Sequence, residues 1–291
     1  MSVISTYSPK LMYPYDARVD KETGAKVEFR SKWVYLGVSL WLCPKENTPL
    51  YDKLSTLMGS LATLFPGQAP KFDPHITITS NIKIDLNNPH DDVDKILSAS
   101  ATALNSLPQN HSPLITLGRV NSQRKFFKKL YFQASKDPNL LSFTRIMREL
   151  FVILPSKIDI ENQKVNPHLY TKDNHGNSIK RRPSKKGKHS ESIETKPLDM
   201  ERLNREAAEE AAQWINEFDP HLSLAYSDIY PIDNALWRTI KTRIQDYLNI
   251  DDCDAEDLVD NGLSWDGGVL KLVLTEGDVN DWIVLGRVDL H

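Results

Sequence analysis

The sequence has little that would assign it to a membrane, a zinc site or an oxidising compartment. Its 291 residues include only Cys43 and Cys253, too few for a disulfide framework or a cysteine-based zinc set. The most apolar stretch, Trp33 to Cys43, is about half as long as a membrane-spanning helix needs to be. The N-terminus also lacks the basic and then apolar pattern of a signal peptide. These absences predict a soluble protein made in the cytosol, with both cysteines buried as small apolar side chains.

Charge and glycine patterning exclude further classes of protein. A formal net charge of −3 argues against a protein that coats nucleic acid electrostatically. The chain has no Walker-type glycine loop, no Gly-x-Gly-x-x-Gly and no Gly-x-Ser-x-Gly. Most of its histidines lie in predicted loops, helix ends or the terminus, without the spacing of metal ligands. We therefore expect neither a metal nor a cofactor.

A short phrase occurs twice, about half a chain apart. Residues 74–78 read Pro-His-Ile-Thr-Ile, and residues 220–224 read Pro-His-Leu-Ser-Leu. In an extended strand alternate side chains share a face, so each histidine lies beside its hydroxyl while the apolar residues turn to the core. Proline is tolerated at the first residue of a strand. The repeat predicts two similar half-domains that contribute matching side chains to one groove.

The doubled phrase suits chemistry at phosphorus. His75 and His221 have a reference pKa of about 6.5, so an imidazole can serve as base or acid near neutral pH. One would take a proton from an attacking water while the other protonates the departing ribose oxygen. The hydroxyls of Thr77 and Ser223 would donate hydrogen bonds to the phosphate oxygens as charge develops. One such strand alone is as compatible with a structural histidine, and the residues leave open which histidine is the acid.

Strand and helix patterns alternate without strict β-α-β repetition, which favours an α+β fold with antiparallel sheets. Polar residues 1–32 form an N-terminal extension, and residues 33–291 form one domain. A polar stretch at about 155–199 has no apolar period and carries a basic cluster from Lys180 to Lys188. A solvated, flexible insertion is the favoured interpretation, with a nuclear address or a nucleic-acid contact as alternatives. Thr48 and Pro49 predict the start of a helix, with Thr48 as its N-cap. Predicted strands cover 33–42, 74–78, 114–120, 126–134, 220–224, 269–274 and 282–290.

The paired motif resembles the signature of the 2H phosphoesterases, and more closely that of the fungal 2′,3′-cyclic-nucleotide 3′-phosphodiesterases. The similarity extends from about Trp33 to the C-terminus, interrupted by the basic insertion. It is carried by Leu-Trp-Leu-Cys-Pro at 40–44 and by the two motif regions at 72–80 and 220–231. Shorter matches lie at 127–129, 146–149, 263–265 and 282–289.

The resemblance implies two pseudo-symmetric lobes of antiparallel sheet flanked by helices, with the histidines in the cleft. It implies metal-independent opening of nucleoside 2′,3′-cyclic phosphates to 2′-phosphates. It also implies opening of ADP-ribose 1″,2″-cyclic phosphate, a by-product of tRNA splicing. His75, Thr77, His221 and Ser223 match the catalytic positions, and Tyr226 matches an aromatic near the substrate. Strand alternation turns Tyr226 away from Ser223, so a bend or strand end is required there.

Other functions stay open at this point. A related 2H enzyme acting on RNA ends would account for the basic cluster, and a nucleotide-binding module would keep the groove without the chemistry. Trp41 is interpreted as a core residue, with stacking on a base as the alternative. We expect a monomer whose ligand is a small cyclic phosphate, with no membrane span. Localisation is cytoplasmic from the sequence, and Golgi-associated as the resemblance implies.

Overall fold

The computed structural model describes residues 37–65, 69–84, 89–108, 112–172, 178–180, 195–228 and 231–290. These divide into two compact units. The larger holds the described residues up to Thr144 and from Phe218 onward, and the smaller is Arg145–Glu217. The predicted extension at 1–32, residues 33–36 of the predicted first strand, and most of the basic cluster lie outside the described residues.

The regular elements follow the mixed order that the sequence predicted. The strands are β1 Val38–Cys43, β2 Ile76–Ile82, β3 Ile115–Asn121, β4 Leu130–Ala134, β5 Tyr170–Lys172, β6 Ser178–Lys180, β7 His221–Ala225, β8 Ser264–Trp265, β9 Gly268–Leu274 and β10 Ile283–Leu290. The α-helices are α1 Pro49–Ala62, α2 Pro89–Asn105, α3 Pro138–Arg148, α4 Leu154–Val165, α5 Met200–Trp214 and α6 Asn234–Leu248, with a π-helix at Glu149–Ile153.

The larger unit is built on one eight-stranded sheet in the order β10-β9-β1-β2-β7-β4-β3-β8. All of its neighbouring strands pair antiparallel. The two strands that begin at the repeated phrase, β2 and β7, meet at the centre. We call β10-β9-β1-β2 the first half and β7-β4-β3-β8 the second half. The α+β class and the antiparallel sheet predicted from the sequence are therefore confirmed, and the two predicted lobes join in one continuous sheet.

The apolar residues of the repeated phrase enter the core. Ile76, Ile78 and Leu222 are fully inaccessible to solvent, and Leu224 nearly so. Helix α1 contacts β7, and α2 contacts β9 and β10. Helix α1 begins where the sequence placed it, because the side chain of Thr48 accepts a hydrogen bond from the Tyr51 amide. This burial makes one face of β2 and β7 core, which leaves the opposite face for the polar side chains.

One predicted strand begins later than expected. The sequence pattern predicts strand from residue 126, but Phe126–Lys128 form a 3₁₀ turn and β4 starts at Leu130. The carbonyl of Phe126 accepts from the Ser227 amide, and that of Phe127 accepts from the Ser223 hydroxyl. Tertiary hydrogen bonds thus satisfy this backbone in place of a sheet ladder, which a strand-like apolar pattern does not reveal.

The smaller unit corrects the prediction of an unstructured insertion at about 155–199. Residues 154–165 form helix α4, and β5 pairs antiparallel with β6. Helix α4 buries none of its side chains, so it shows no apolar period. Ion pairs link it to α5, from Arg202 to Glu161 at 2.7 Å and from Lys157 to Glu210 at 2.9 Å. At its first residue, Leu154 packs against a buried apolar cluster that includes Ala207 and Ala211 of α5. Residues 181–194 lie outside the described part of the chain.

Within the described ranges, no helix has the length and apolar character needed to span a bilayer.

Candidate active site

Both motif strands turn their polar side chains to one face of the sheet. Strands β2 and β7 pair antiparallel with Ile76 opposite Leu222. This register puts His75 opposite Ser223 and Thr77 opposite His221, all on the face away from the core. The two histidines are then diagonal neighbours on adjacent strands. Such positions are about 7–8 Å apart, a distance that long side chains can span. The fold therefore brings the four predicted side chains together.

The two imidazoles are anchored in the same way. His75 Nδ1 lies 2.6 Å from the carbonyl oxygen of Asp73, and His221 Nδ1 lies 2.7 Å from that of Asp219. A carbonyl can only accept, so Nδ1 carries the proton in each ring. Nε2 of each neutral ring then carries the lone pair, and can gain or release a proton. Each histidine is thereby prepared for proton transfer through the same atom.

The surroundings of the two rings differ. His75 is 3% exposed and stacks on Trp41 with ring centroids 3.6 Å apart and an angle of 7°. The pKa of His75 is lowered to about 4, mainly by burial, and a positive charge on His221 contributes to this lowering. His221 is only half-buried, and its ring centroid lies 5.3 Å from that of Tyr131 in an edge-to-face arrangement. Burial also lowers the pKa of His221, and the charge of Lys128 adds to the effect. His221 is the less buried of the two rings, so burial opposes a positive charge less there than on His75.

The sequence left Trp41 between a core residue and a base-stacking residue. It is almost completely buried, and its ring covers His75. Its strand position is opposite Thr77, on the same face as the motif side chains. Trp41 is therefore a buried residue that excludes water from one imidazole.

Tyr226 reaches the site because β7 ends at Ala225. The expected strand end thus removes the conflict with strand alternation. Burial raises the pKa of Tyr226, and a hydrogen bond with the Ser223 side chain opposes this rise. The Ser223 hydroxyl also donates to the carbonyl of Phe127 at 3.1 Å. The tyrosine ring itself is buried, stacked on Phe72 at 4.0 Å, so only its hydroxyl is directed at the motif.

An exposed aromatic side chain adjoins the second motif. Phe127 is 54% exposed, although its carbonyl is bonded to Ser223. Its ring lies 6.1 Å from that of Trp282 at an angle of 26°. Sequence reasoning assigned no role to Phe127, because the residue lies in a segment that resembled a strand.

Sequence reasoning also missed how far the repeat extends. Residues 72–75 and 218–221 both read Phe-Asp-Pro-His. Each aspartate supplies the carbonyl that anchors its histidine, and each carboxylate binds a lysine: Asp73 binds Lys271 at 2.7 Å and Asp219 binds Lys128 at 2.6 Å. The aligned aspartates were the signal available in the sequence. Only the fold pairs them with lysines.

In the part of the chain that the structure describes, no group of three or more histidine, cysteine, aspartate or glutamate side chains has the arrangement of a metal site. Cys43 and Cys253 are both buried thiols, as expected. Burial raises the pKa of Cys43 to about 12, which keeps it protonated and unreactive near neutral pH.

The profile of a family described as cyclic phosphodiesterase-like protein matches residues 36–290. The chain belongs to this family. This match confirms the cyclic phosphodiesterase family that the paired motif predicted.

Curated relatives of this cyclic phosphodiesterase-like chain carry one name. A protein named 2′,3′-cyclic-nucleotide 3′-phosphodiesterase from Debaryomyces hansenii is 65% identical over 240 residues, covering 81% of this chain and 100% of that relative. A protein of the same name from Candida albicans is 60% identical over 260 residues, covering 88% and 100%. One from Saccharomyces cerevisiae is 27% identical over 291 residues, covering 88% and 100%. The similarity extends over nearly all of the described residues.

Proposed function

We propose that this protein hydrolyses nucleoside 2′,3′-cyclic phosphates to nucleoside 2′-phosphates. The observation that carries the proposal is the register of β2 on β7, which gives two imidazoles and two hydroxyls one common face. Family membership and the shared name of its relatives support the substrate class. An enzyme of this kind acts on a strained five-membered phosphate ring, so it needs proton transfer and charge stabilisation more than a covalent nucleophile.

The proposed step is a displacement by water at phosphorus. A neutral imidazole takes one proton from the water as its oxygen bonds to phosphorus. The bond from phosphorus to the ribose 3′ oxygen breaks, and the protonated imidazole delivers a proton to that oxygen. The product holds a 2′-phosphate and a free 3′ hydroxyl, and the two imidazoles have exchanged states. Each transfer typically contributes about 10²–10⁴-fold to the rate.

The burial of the rings favours one assignment of these roles. His75 lies under Trp41 with a pKa of about 4, so it is neutral at neutral pH. His221 is the more exposed ring, and it retains a proton to higher pH than His75 does. His75 is accordingly the proposed base, and His221 the proposed acid.

The two hydroxyls are proposed to stabilise the extra negative charge on the non-bridging oxygens. Thr77 is half-buried on the common face, opposite His221. Ser223 directs its proton to the Phe127 carbonyl, so its hydroxyl must rotate before it donates to a phosphate. Tyr226, through its hydrogen bond with Ser223, is a candidate to fill the vacated position. Donors fixed in advance lower the barrier most, because they do not reorganise during the reaction.

The exposed ring of Phe127 supports a nucleoside as the rest of the substrate. Base stacking on an aromatic side chain is worth about 1–3 kcal/mol and tolerates any base. Phe127 is a direct neighbour of Ser223, because its carbonyl accepts a hydrogen bond from the hydroxyl that is proposed to bind the phosphate. Stacking there would hold the base while the cyclic phosphate occupies the common face.

The same chemistry extends to ADP-ribose 1″,2″-cyclic phosphate, which also holds a five-membered phosphate ring on a ribose. We propose its opening to ADP-ribose 1″-phosphate as a second reaction of the site, downstream of tRNA splicing. The family resemblance is the support for this step. We also propose that the protein is a monomer, as expected from the sequence, and that it associates with the Golgi, as the resemblance implies. Light scattering tests the first proposal, and imaging of a tagged chain tests the second.

Purified protein incubated with 2′,3′-cyclic AMP tests the main proposal. We expect nucleoside 2′-phosphate as the product, identified by chromatography against both isomers, and no loss of rate with a chelator. His75→Ala and His221→Ala should remove turnover, while the exposed His168→Ala should leave it unchanged. Turnover of an RNA carrying a cyclic-phosphate end but not of the nucleotide would favour an RNA-end enzyme. Binding without turnover of either would favour a nucleotide-binding module.

A further inference from the structure

The carboxylate of Asp73 is held from two sides. The hydroxyl of Tyr51 donates to Oδ1 at 3.0 Å, and Nζ of Lys271 donates to Oδ2 at 2.7 Å. Lys271 lies on β9 opposite Trp41, and its side chain is only 4% exposed. Lys271 also binds Glu46 at 2.7 Å, and Arg287 binds the other oxygen of Glu46 at 2.7 Å. The aspartate is thus part of a network that ties α1, β9 and β10 together.

The same aspartate touches the proposed catalytic histidine through its backbone. Its carbonyl oxygen accepts from His75 Nδ1 at 2.6 Å. With the side chain fixed at both oxygens, rotation of the Asp73 backbone would break one of these contacts. The carbonyl therefore keeps a set direction, and it selects the tautomer in which Nε2 carries the lone pair.

The second half of the sheet has a looser copy of this arrangement. The carboxylate of Asp219 binds Lys128 at 2.6 Å, and its carbonyl anchors His221. The side chain of Lys128 is 21% exposed, against 4% for Lys271. Exposed ion pairs contribute little, because water and salt screen them, whereas a buried pair that loses one member leaves an uncompensated charge.

We propose that Asp73 and Lys271 are positioning residues that hold His75 in one tautomer and one orientation through the Asp73 carbonyl. The pair touches neither substrate nor reacting atoms, and it acts on the reaction only through the imidazole. This assignment rests on the proposed role of His75 in catalysis. The Asp219–Lys128 pair does the same for His221 with a smaller effect.

Asp73→Asn tests the proposal, because it keeps the backbone carbonyl and the side-chain volume while it removes the charge that Lys271 binds. We expect kcat to fall by about 10–100-fold with KM little changed, since a misplaced catalytic group costs rate more than binding. Tyr51→Phe, which removes only the contact to Oδ1, should lower kcat by less. Asp219→Asn should cost less than Asp73→Asn, and Asp289→Asn, an aspartate of β10 that contacts Arg287, should leave kcat unchanged.

Nitrogen NMR of ¹⁵N-histidine-labelled protein at neutral pH supplies a readout that activity does not. In the unaltered protein His75 should show a protonated Nδ1 and an unprotonated Nε2. In Asp73→Asn the two nitrogens should move toward averaged shifts, while circular dichroism stays unchanged. A single unaltered tautomer together with an unaltered kcat would overturn the proposal.

The same experiments separate this proposal from the proposed function. If the unaltered protein turns over no cyclic nucleotide, the proposed function is wrong, and the NMR comparison still decides whether Asp73 orients His75. If turnover is normal and Asp73→Asn behaves like the unaltered protein in both measurements, the function stands and the positioning role is rejected.

Discussion

The two halves of the sheet carry the same motif in different surroundings. His75 is sealed under Trp41, and its aspartate binds a lysine that is almost inaccessible. His221 is half-exposed beside Tyr131, and its aspartate binds a more exposed lysine. Identical hydrogen bonds at Nδ1 give both rings the same tautomer. The repeated sequence motif therefore sets which ring nitrogen reacts, whereas burial decides how readily that nitrogen holds a proton.

Replacement of either histidine should lower the rate more than any other substitution considered below. His75→Ala and His221→Ala should each reduce kcat/KM by about 10²–10⁴-fold, the usual contribution of a proton transfer. A substrate with sulfur in place of the ribose 3′ oxygen distinguishes the two roles, because a thiolate leaves without a proton. We expect this substrate to restore turnover to His221→Ala and not to His75→Ala. Rescue of His75→Ala alone would reverse the assignment.

The two hydroxyls should be next in size, and unequal. Loss of one donor to a developing negative charge typically costs about 10²–10³-fold in kcat. Thr77→Ala should show this full effect. Ser223→Ala should cost less, because its proton is engaged by the Phe127 carbonyl and Tyr226 lies close enough to substitute. Single-turnover kinetics would measure both. Equal losses would mean that Ser223 rotates freely in the complex.

Phe127→Ala should raise KM about 10-fold and leave kcat nearly unchanged, because stacking on a base is a binding interaction made equally in the ground state. Phe127→Tyr, which keeps an aromatic ring at the same position, is the matched control and should behave like the unaltered protein. The comparison uses cyclic AMP and cyclic CMP as substrates. A loss of kcat with unchanged KM would assign the residue to the Ser223 contact instead.

The pH dependence of kcat/KM should also reflect the burial of the two rings. A reaction that needs neutral His75 and protonated His221 falls off below the pKa of the first and above that of the second. We expect kcat/KM to be half-maximal on the acid side near pH 4, and to peak below pH 6.5 because burial lowers the pKa of both rings.

Trp41→Leu sharpens this test of burial. Removal of the indole admits water to His75, so its pKa should rise toward the ordinary value and the acid limb should move to higher pH. The alkaline limb, set by His221, should stay where it is. Circular dichroism confirms that the fold is retained. An unmoved acid limb would show that Trp41 is not what keeps His75 neutral.

Much of the fold was predictable from local pattern. Thr48 caps α1 and the apolar residues beside each histidine are buried, as their spacing indicated. The predictions went wrong where local pattern and tertiary contact disagree. Helix α4 has no fully buried side chain, and Phe126–Lys128 form a 3₁₀ turn whose carbonyls accept hydrogen bonds from Ser223 and Ser227 instead of pairing in the sheet. No periodicity in the sequence encodes such contacts.

The amino-acid sequence alone specifies the reactive groups, which are two histidines and two hydroxyls. Through strand alternation it also places each histidine on the same face as its hydroxyl. The aspartate two residues before each histidine was also present in it. The fold makes β2 and β7 neighbours and stacks Trp41 on His75. It also pairs Asp73 with Lys271, whose side chain is almost completely buried. The physical reason is that proton affinity depends on the solvation and charges around a ring, and residues distant in the chain supply both.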